Sequence, residues 1–124
     1  MIAAPRIACI ALVVLLPAVA MAEDVTAQFR LVAAPNNVTG CIAADPQFTR
    51  VHTFTVKNGQ AELTAPGGID TKMKLEKPNV YVTDYDLGRL DLHIVADLAD
   101  LAATPPSLTV DDKNLGCKWT AKKE

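Results

Sequence analysis

The chain is poor in the residues most catalytic sites need. It holds one serine, Ser107, and two histidines, His52 and His93. No Gly-x-Ser-x-Gly, His-Glu-x-x-His, Cys-x-x-Cys or phosphate-cradling glycine loop occurs. Ser107 follows Pro105-Pro106, and a Ser107/His93/Asp91 grouping can be written down. On a strand, however, Asp91 and His93 stand side by side, and the acid need not reach the ring nitrogen. Nucleophilic catalysis is therefore not expected. Concentrated positive charge is also missing. The formal charge is −2, and lysines gather only at Lys72/Lys74/Lys77 and Lys118/Lys122/Lys123. Nucleic acid, which demands a basic face, is not an expected partner. There is no internal repeat, low-complexity tract or interdomain linker.

The longest apolar run falls short of a membrane span. It covers about 14 residues from Ile7, with Pro17 near its end, against the roughly 20 a span requires. Arg6 and the α-amino group precede it, Ala20-Met21-Ala22 closes it, and Glu23-Asp24 follows. This order reads as a secretory signal peptide over residues 1–22, leaving an exported domain over 23–124. Periplasmic or extracellular localisation follows, with no permanent membrane span after cleavage. Losing Arg6 makes the formal charge one unit more negative. About 100 residues make one domain with a thin core.

Of three cysteines, Cys9 falls in the leader, so the exported part keeps Cys41 and Cys117. In an oxidising compartment two cysteines most simply form one disulfide. The loop closed is about 77 residues, which the chain-entropy model values at about 4.5 kcal/mol. A zinc site would need more ligands at suitable spacing.

What the chain has in abundance is period-2 alternation broken by turn residues. Val25–Val32 puts Val25, Ala27, Phe29 and Leu31 on one face. Pro35-Asn36-Asn37 interrupts, Val38–Ala43 reads as a short strand, and Asp45-Pro46 as a turn. Phe48–Lys57 is the longest strand candidate, with Phe48, Arg50, His52, Phe54 and Val56 on one face. Asn58-Gly59 then predicts a tight hairpin into Gln60–Thr64, because both residues tolerate the positive φ of a type I′ turn. Ile69–Lys77 places Ile69, Thr71, Met73 and Leu75 inward, and Pro78 closes it. Asn79–Thr83 follows, then a polar loop from Asp84 to Gly88. Arg89–Leu98 is apolar at every even position, which favours strand over helix. The alanine-rich stretch behind it predicts one helical turn near 97–103, before Pro105-Pro106. Ser107–Asp111 and Leu115–Ala121 complete the set, with Leu115, Cys117 and Trp119 sharing a face. The expected fold is all-β: one small antiparallel sandwich or barrel of about eight short strands.

Candidate sites are few. Tyr81, Asp84, Tyr85, Asp86 and Arg89 lie close in sequence and combine aromatic and charged tips, the residue types of contact surfaces. His52, His93 and Asp91 are candidate metal ligands, too few to predict a metal or cofactor. Asp84-x-Asp86-x-Gly88 resembles the opening of a calcium loop but has Val95 where the closing glutamate belongs. Asn37-Val38-Thr39 is a glycosylation sequon. The expectation is a non-enzymatic binding or structural protein of the cell envelope, with an envelope or secreted protein as partner. The alternative is a small-molecule or lipid carrier with a cavity inside the barrel, lined by Phe48, Phe54, Met73 and Trp119.

Overall fold

Alternation and turn chemistry together dictate a meander. The computed structural model describes residues 24–124, and the leader expected at 1–22 lies outside them. The strands are β1 (Val25–Arg30), β2 (Val32–Ala33), β3 (Val51–Lys57), β4 (Gln60–Thr64), β5 (Asp70–Lys77), β6 (Val80–Asp86), β7 (Asp91–Asp97), β8 (Ser107–Asp112) and β9 (Lys118–Lys122). All neighbours are antiparallel, in the order β1-β3-β4-β5-β6-β7-β8-β9-β2.

Leu31 alone separates β1 from β2, and the two share one register on β9. Val32 faces Thr120, and Phe29 bridges to Lys123. They act as a single bent strand that pairs with β3 by its first part and with β9 by its second. The Glu124 amide donates to the Gln28 carbonyl at 2.9 Å. The sheet thus curls into a nearly closed barrel of eight strand positions, which resolves the sandwich-or-barrel alternative.

The predicted hairpin forms as expected. Asn58 and Gly59 take φ of 52° and 80° between the paired residues Lys57 and Gln60. The β5–β6 hairpin turns at Pro78-Asn79, with Asn79 at φ 66°. A negative φ followed by a positive one is the type II pattern, whose twist suits flanking strands poorly. In keeping with this, β5 carries a register shift between Leu75 and Lys77.

Inward parity fills the barrel. Ala27, Phe29, Phe54, Val56, Leu63, Met73, Tyr81, Leu92, Ile94, Ala96, Leu108, Val110 and Trp119 are all buried. Phe48 meets Trp119 edge-on with ring centres 4.6 Å apart, a favoured aromatic geometry. Cys41 and Cys117 are joined, their Cα atoms 5.8 Å apart. No described helix is long and apolar enough to cross a membrane.

Three local expectations are corrected. Residues read as a strand and a turn form two short helices, α1 (Thr39–Ile42) and α2 (Asp45–Phe48). Pro46 suits the first turn of α2, where its missing N–H costs nothing, and β3 therefore begins at Val51, not Phe48. The helical turn expected near 97–103 is absent. After β7, Leu98 donates to the Asn79 carbonyl, and Leu101 and Thr104 exchange two backbone bonds around a tight turn. Asp84 to Asp86 continue strand β6 and are not a loop; the chain turns only after them.

Candidate functional site

The two ends of the barrel differ. At one, α1 and α2 and the turns after β4, β6 and β8 form a cap. At the other lie the β3–β4 and β5–β6 hairpins, the long β7–β8 connection and both termini of the described chain.

Side chains hold the cap on. Arg50 Nε donates to the Pro46 carbonyl at 3.1 Å, and its Nη1 donates to the Pro66 carbonyl, joining α2 to the β4–β5 turn. Trp119 Nε1 donates to Asp45 Oδ1 at 2.9 Å. Asn37 mimics a backbone pair: its Nδ2 donates to the Lys118 carbonyl and its Oδ1 accepts from the Lys118 amide, both at 2.9 Å. The sequon amide nitrogen is thus already committed to the fold.

Two buried titratable groups lie beneath. His52 Nε2 accepts from the Ile69 amide at 3.0 Å, which fixes the neutral tautomer with its proton on Nδ1, 3.2 Å from the Arg50 carbonyl. Burial holds the His52 pKa below its ordinary 6.5; the carbonyl contact opposes this and the Arg50 charge adds to it. Gly68 makes the approach possible, since a Cβ there would stand 2.9 Å from Nε2. Asp112 accepts from the amides of Asp91, Asn114 and Leu115 at 2.9, 3.2 and 2.6 Å. Burial alone would raise its pKa, but these donors and the Cys117 amide outweigh it and hold the carboxyl below its usual value.

Between the helices and the β6–β7 turn lies a cleft of about 240 Å³, lined by Gly40, Ala43, Ala44, Gln47, Leu87, Arg89 and Leu90. Arg89 is exposed, and among the described residues its guanidinium has no ion-pair partner. Its carbonyl accepts from Asn114 Nδ2 at 3.1 Å. Beside the cleft stand Val38, Ile42 and Leu115, which are 51%, 58% and 43% exposed. Val38 precedes α1 in extended backbone, and Ile42 is the last residue of α1. Leu115 Cδ1 lies over Gly40, and the disulfide, one residue from Ile42 and two from Leu115, pins the group together.

Strand alternation divides the sequence-predicted contact residues. Tyr81 points inward, its ring centre 5.0 Å from that of Phe54. Tyr85 is half-buried against the core. Asp84 points outward, 3.1 Å from His93 Nδ1 and 3.3 Å from Lys113 Nζ. Hydrogen bonds from His93 and Lys113 hold its carboxyl below the usual range. Asp86 Oδ1 accepts from the Gly88 amide at 2.7 Å. Only Arg89 of the five reaches the cleft.

The remaining candidates are dispersed. His52 lies inside the barrel on β3 and His93 on the outer surface of β7, with three strands between them in the sheet order. His93 pairs with Asp84, its cross-strand neighbour on β6, rather than with Asp91 two positions away on its own strand. No group of three or more His, Cys, Asp or Glu able to hold a metal occurs among the described residues. Ser107 sits four positions along β8 from Asp111, the residue opposite His93; that is roughly 13 Å of strand.

Sequence reasoning missed Val38 and Ile42 because both were assigned to a strand, whereas Val38 precedes α1 and Ile42 ends it. Leu75 was missed at the other end. It shares inward parity with Met73 yet is 57% exposed. The last β4–β5 pair is Ala61 with Met73, and β5 beyond it pairs with β6 alone. The departure opens a second cleft of about 410 Å³ beside the β3–β4 turn, lined by Gly59, Gln60, Ala61, Lys72, Met73, Lys74, Leu75 and Tyr81. Of the residues expected to line an interior cavity, Phe48, Phe54 and Trp119 are fully buried and only Met73 borders this cleft.

Neither family models, curated proteins nor solved structures yield a match to this chain.

Proposed function

We propose that the chain is an exported, non-enzymatic binding domain whose capped end docks an envelope or secreted protein. One observation carries this reading. Val38, Ile42 and Leu115 are held exposed beside the Arg89 cleft by a disulfide and a network of side-chain ties. A rigid apolar patch next to an unpaired guanidinium is the composition of an interface centre, where arginine and apolar anchors dominate. The partner surface is one that sets a carboxylate among apolar side chains. Export is supported by the leader-like order of residues 1–22 and by the joined cysteines, which suit an oxidising compartment. The periplasm is the compartment proposed if the source cell has one. The carrier alternative draws no support from the filled interior and keeps a place only at the β5 cleft.

The test is site-specific photocrosslinking from position 42 in the host envelope, with position 62 on the far wall as control. One adduct from position 42, lost in Arg89→Glu and in Leu115→Asp, is the expected result. The same adduct from both positions, or its persistence in both variants, overturns the reading. Recovered protein should begin at Glu23.

A further inference from the structure

The cleft beside β5 combines an apolar floor with a cationic rim. Ala61, Met73 and Tyr81 are buried along it, and Leu75 stands open at its mouth. Leu75 is uncovered because β4 ends where β5 continues: its facing residue on β6 is Tyr81, and it has none on β4. Lys72 and Lys74 line the same cleft, and neither forms an ion pair among the described residues. Glu62 faces Lys72 across the sheet, whereas Lys74 faces Val82. Lys74 is therefore the cation without an acidic cross-strand neighbour.

Two occupants suit an exposed strand edge lined by apolar side chains: another strand or a flexible apolar chain. The edge itself argues against a strand. It carries Lys74 and Lys77 and a register shift between Leu75 and Lys77, and lysines and bulges are the devices by which edges refuse further pairing. A flexible chain needs no backbone register. It gains by covering Leu75 and Met73, and Met adapts to irregular occupants. The volume of about 410 Å³ falls at the lower end of small-molecule sites, which span about 300–1,000 Å³. It suits one alkyl chain better than a two-chain lipid. The exposed ammonium groups select a negative head.

We propose that this cleft binds the free anion of a single-chain fatty acid, its chain over Met73, Leu75 and Tyr81 and its carboxylate at Lys74 and Lys72. The site shares no residue with the capped end, so each reading can fail without the other.

The experiment is an amide NMR titration with laurate below its micellar concentration, with dodecyltrimethylammonium as a cation of equal chain length. Saturable shifts at Ala61, Met73, Leu75 and Tyr81 are expected with laurate, and weaker ones with the cation. Lys72→Glu/Lys74→Glu should weaken laurate by about three- to tenfold, the effect of two exposed ion pairs, and favour the cation instead. Leu75→Asp should abolish saturation while leaving amide shifts elsewhere unchanged. Absence of saturable shifts overturns the proposal. So do equal affinities for both amphiphiles that the lysine variant leaves unaltered. Retention on phosphatidylglycerol vesicles without any response to monomeric laurate also overturns it, and points instead to a bilayer surface.

Discussion

The two ends of this barrel are held by different kinds of force. At the hairpin end, turn residues one or two positions from each strand set the geometry, as Asn58-Gly59 and Pro78-Asn79 show. At the capped end, 17 residues between β2 and β3 include only two four-residue helices. Helices that short have no stability of their own. They persist because distant groups reach in: Cys117, Trp119 and Lys118 from β9 and its approach, and Pro66 from the β4–β5 turn. Local chemistry builds one end and long-range ties build the other. The long-range ties therefore gather at the end with the exposed apolar patch.

That contrast can be broken deliberately. Removing the disulfide, as Cys41→Ala/Cys117→Ala, should have the largest effect, a loss of about 2–5 kcal/mol in denaturant unfolding. Amide exchange should quicken first in 39–48, while the Asn58-Gly59 hairpin keeps its protection; uniform acceleration would contradict the division. Next, Asp112→Ala leaves three amides at the β8–β9 turn without their acceptor and should cost about 2–3 kcal/mol. In the parent protein, its depressed pKa means this contribution is present above the ordinary 3.8 and lost as pH falls below it.

His52 sharpens the comparison through pH. Its folded pKa lies below the unfolded 6.5, so the unfolded chain binds the proton first. Stability should hold above pH 6.5 and decline as pH falls from there toward the folded value. His52→Gln, which can still accept from Ile69, should flatten that slope in urea melts between pH 7 and 5. An unchanged slope would assign the dependence to other groups. The smallest effect is expected from Asp84→Asn, whose partners His93 and Lys113 are exposed. Its melting temperature should match the parent's in moderate salt.

Much of the barrel was legible because one face of each strand is buried. The even positions from Leu90 to Ala96 and the set His52, Phe54 and Val56 follow period two and point inward as read. The cap was not legible. Val38 to Ala43 is too short for periodicity to separate strand from helix, and its β-branched residues favoured the wrong choice. What decides it is Cys117, 76 positions away. Leu75 failed for a related reason: parity gives a side chain's direction, but coverage depends on where the neighbouring strand ends. The contact cluster from Tyr81 to Arg89 is divided because neighbours along a strand alternate between faces, which sets Tyr81 inward and Asp84 outward. Alanine-rich residues near 97–103 promised a helical turn. There, backbone bonds to Asn79 and between Leu101 and Thr104 took precedence over propensity.

The seam between β1–β2 and β9 has a consequence for the order of events in assembly. A polypeptide emerges amino-end first, whether from a ribosome or through a translocation pore, so the opening strand must wait for the final one. Until residues 117–123 arrive, Phe29 lacks its bridge to Lys123, Val32 its pair with Thr120, and Cys41 its sulfur partner. Hairpins can zip one after another in the meantime, but ring closure and oxidation fall together at the last moment. A chain stalled a few residues short would present its apolar lining to whatever chaperone is nearest.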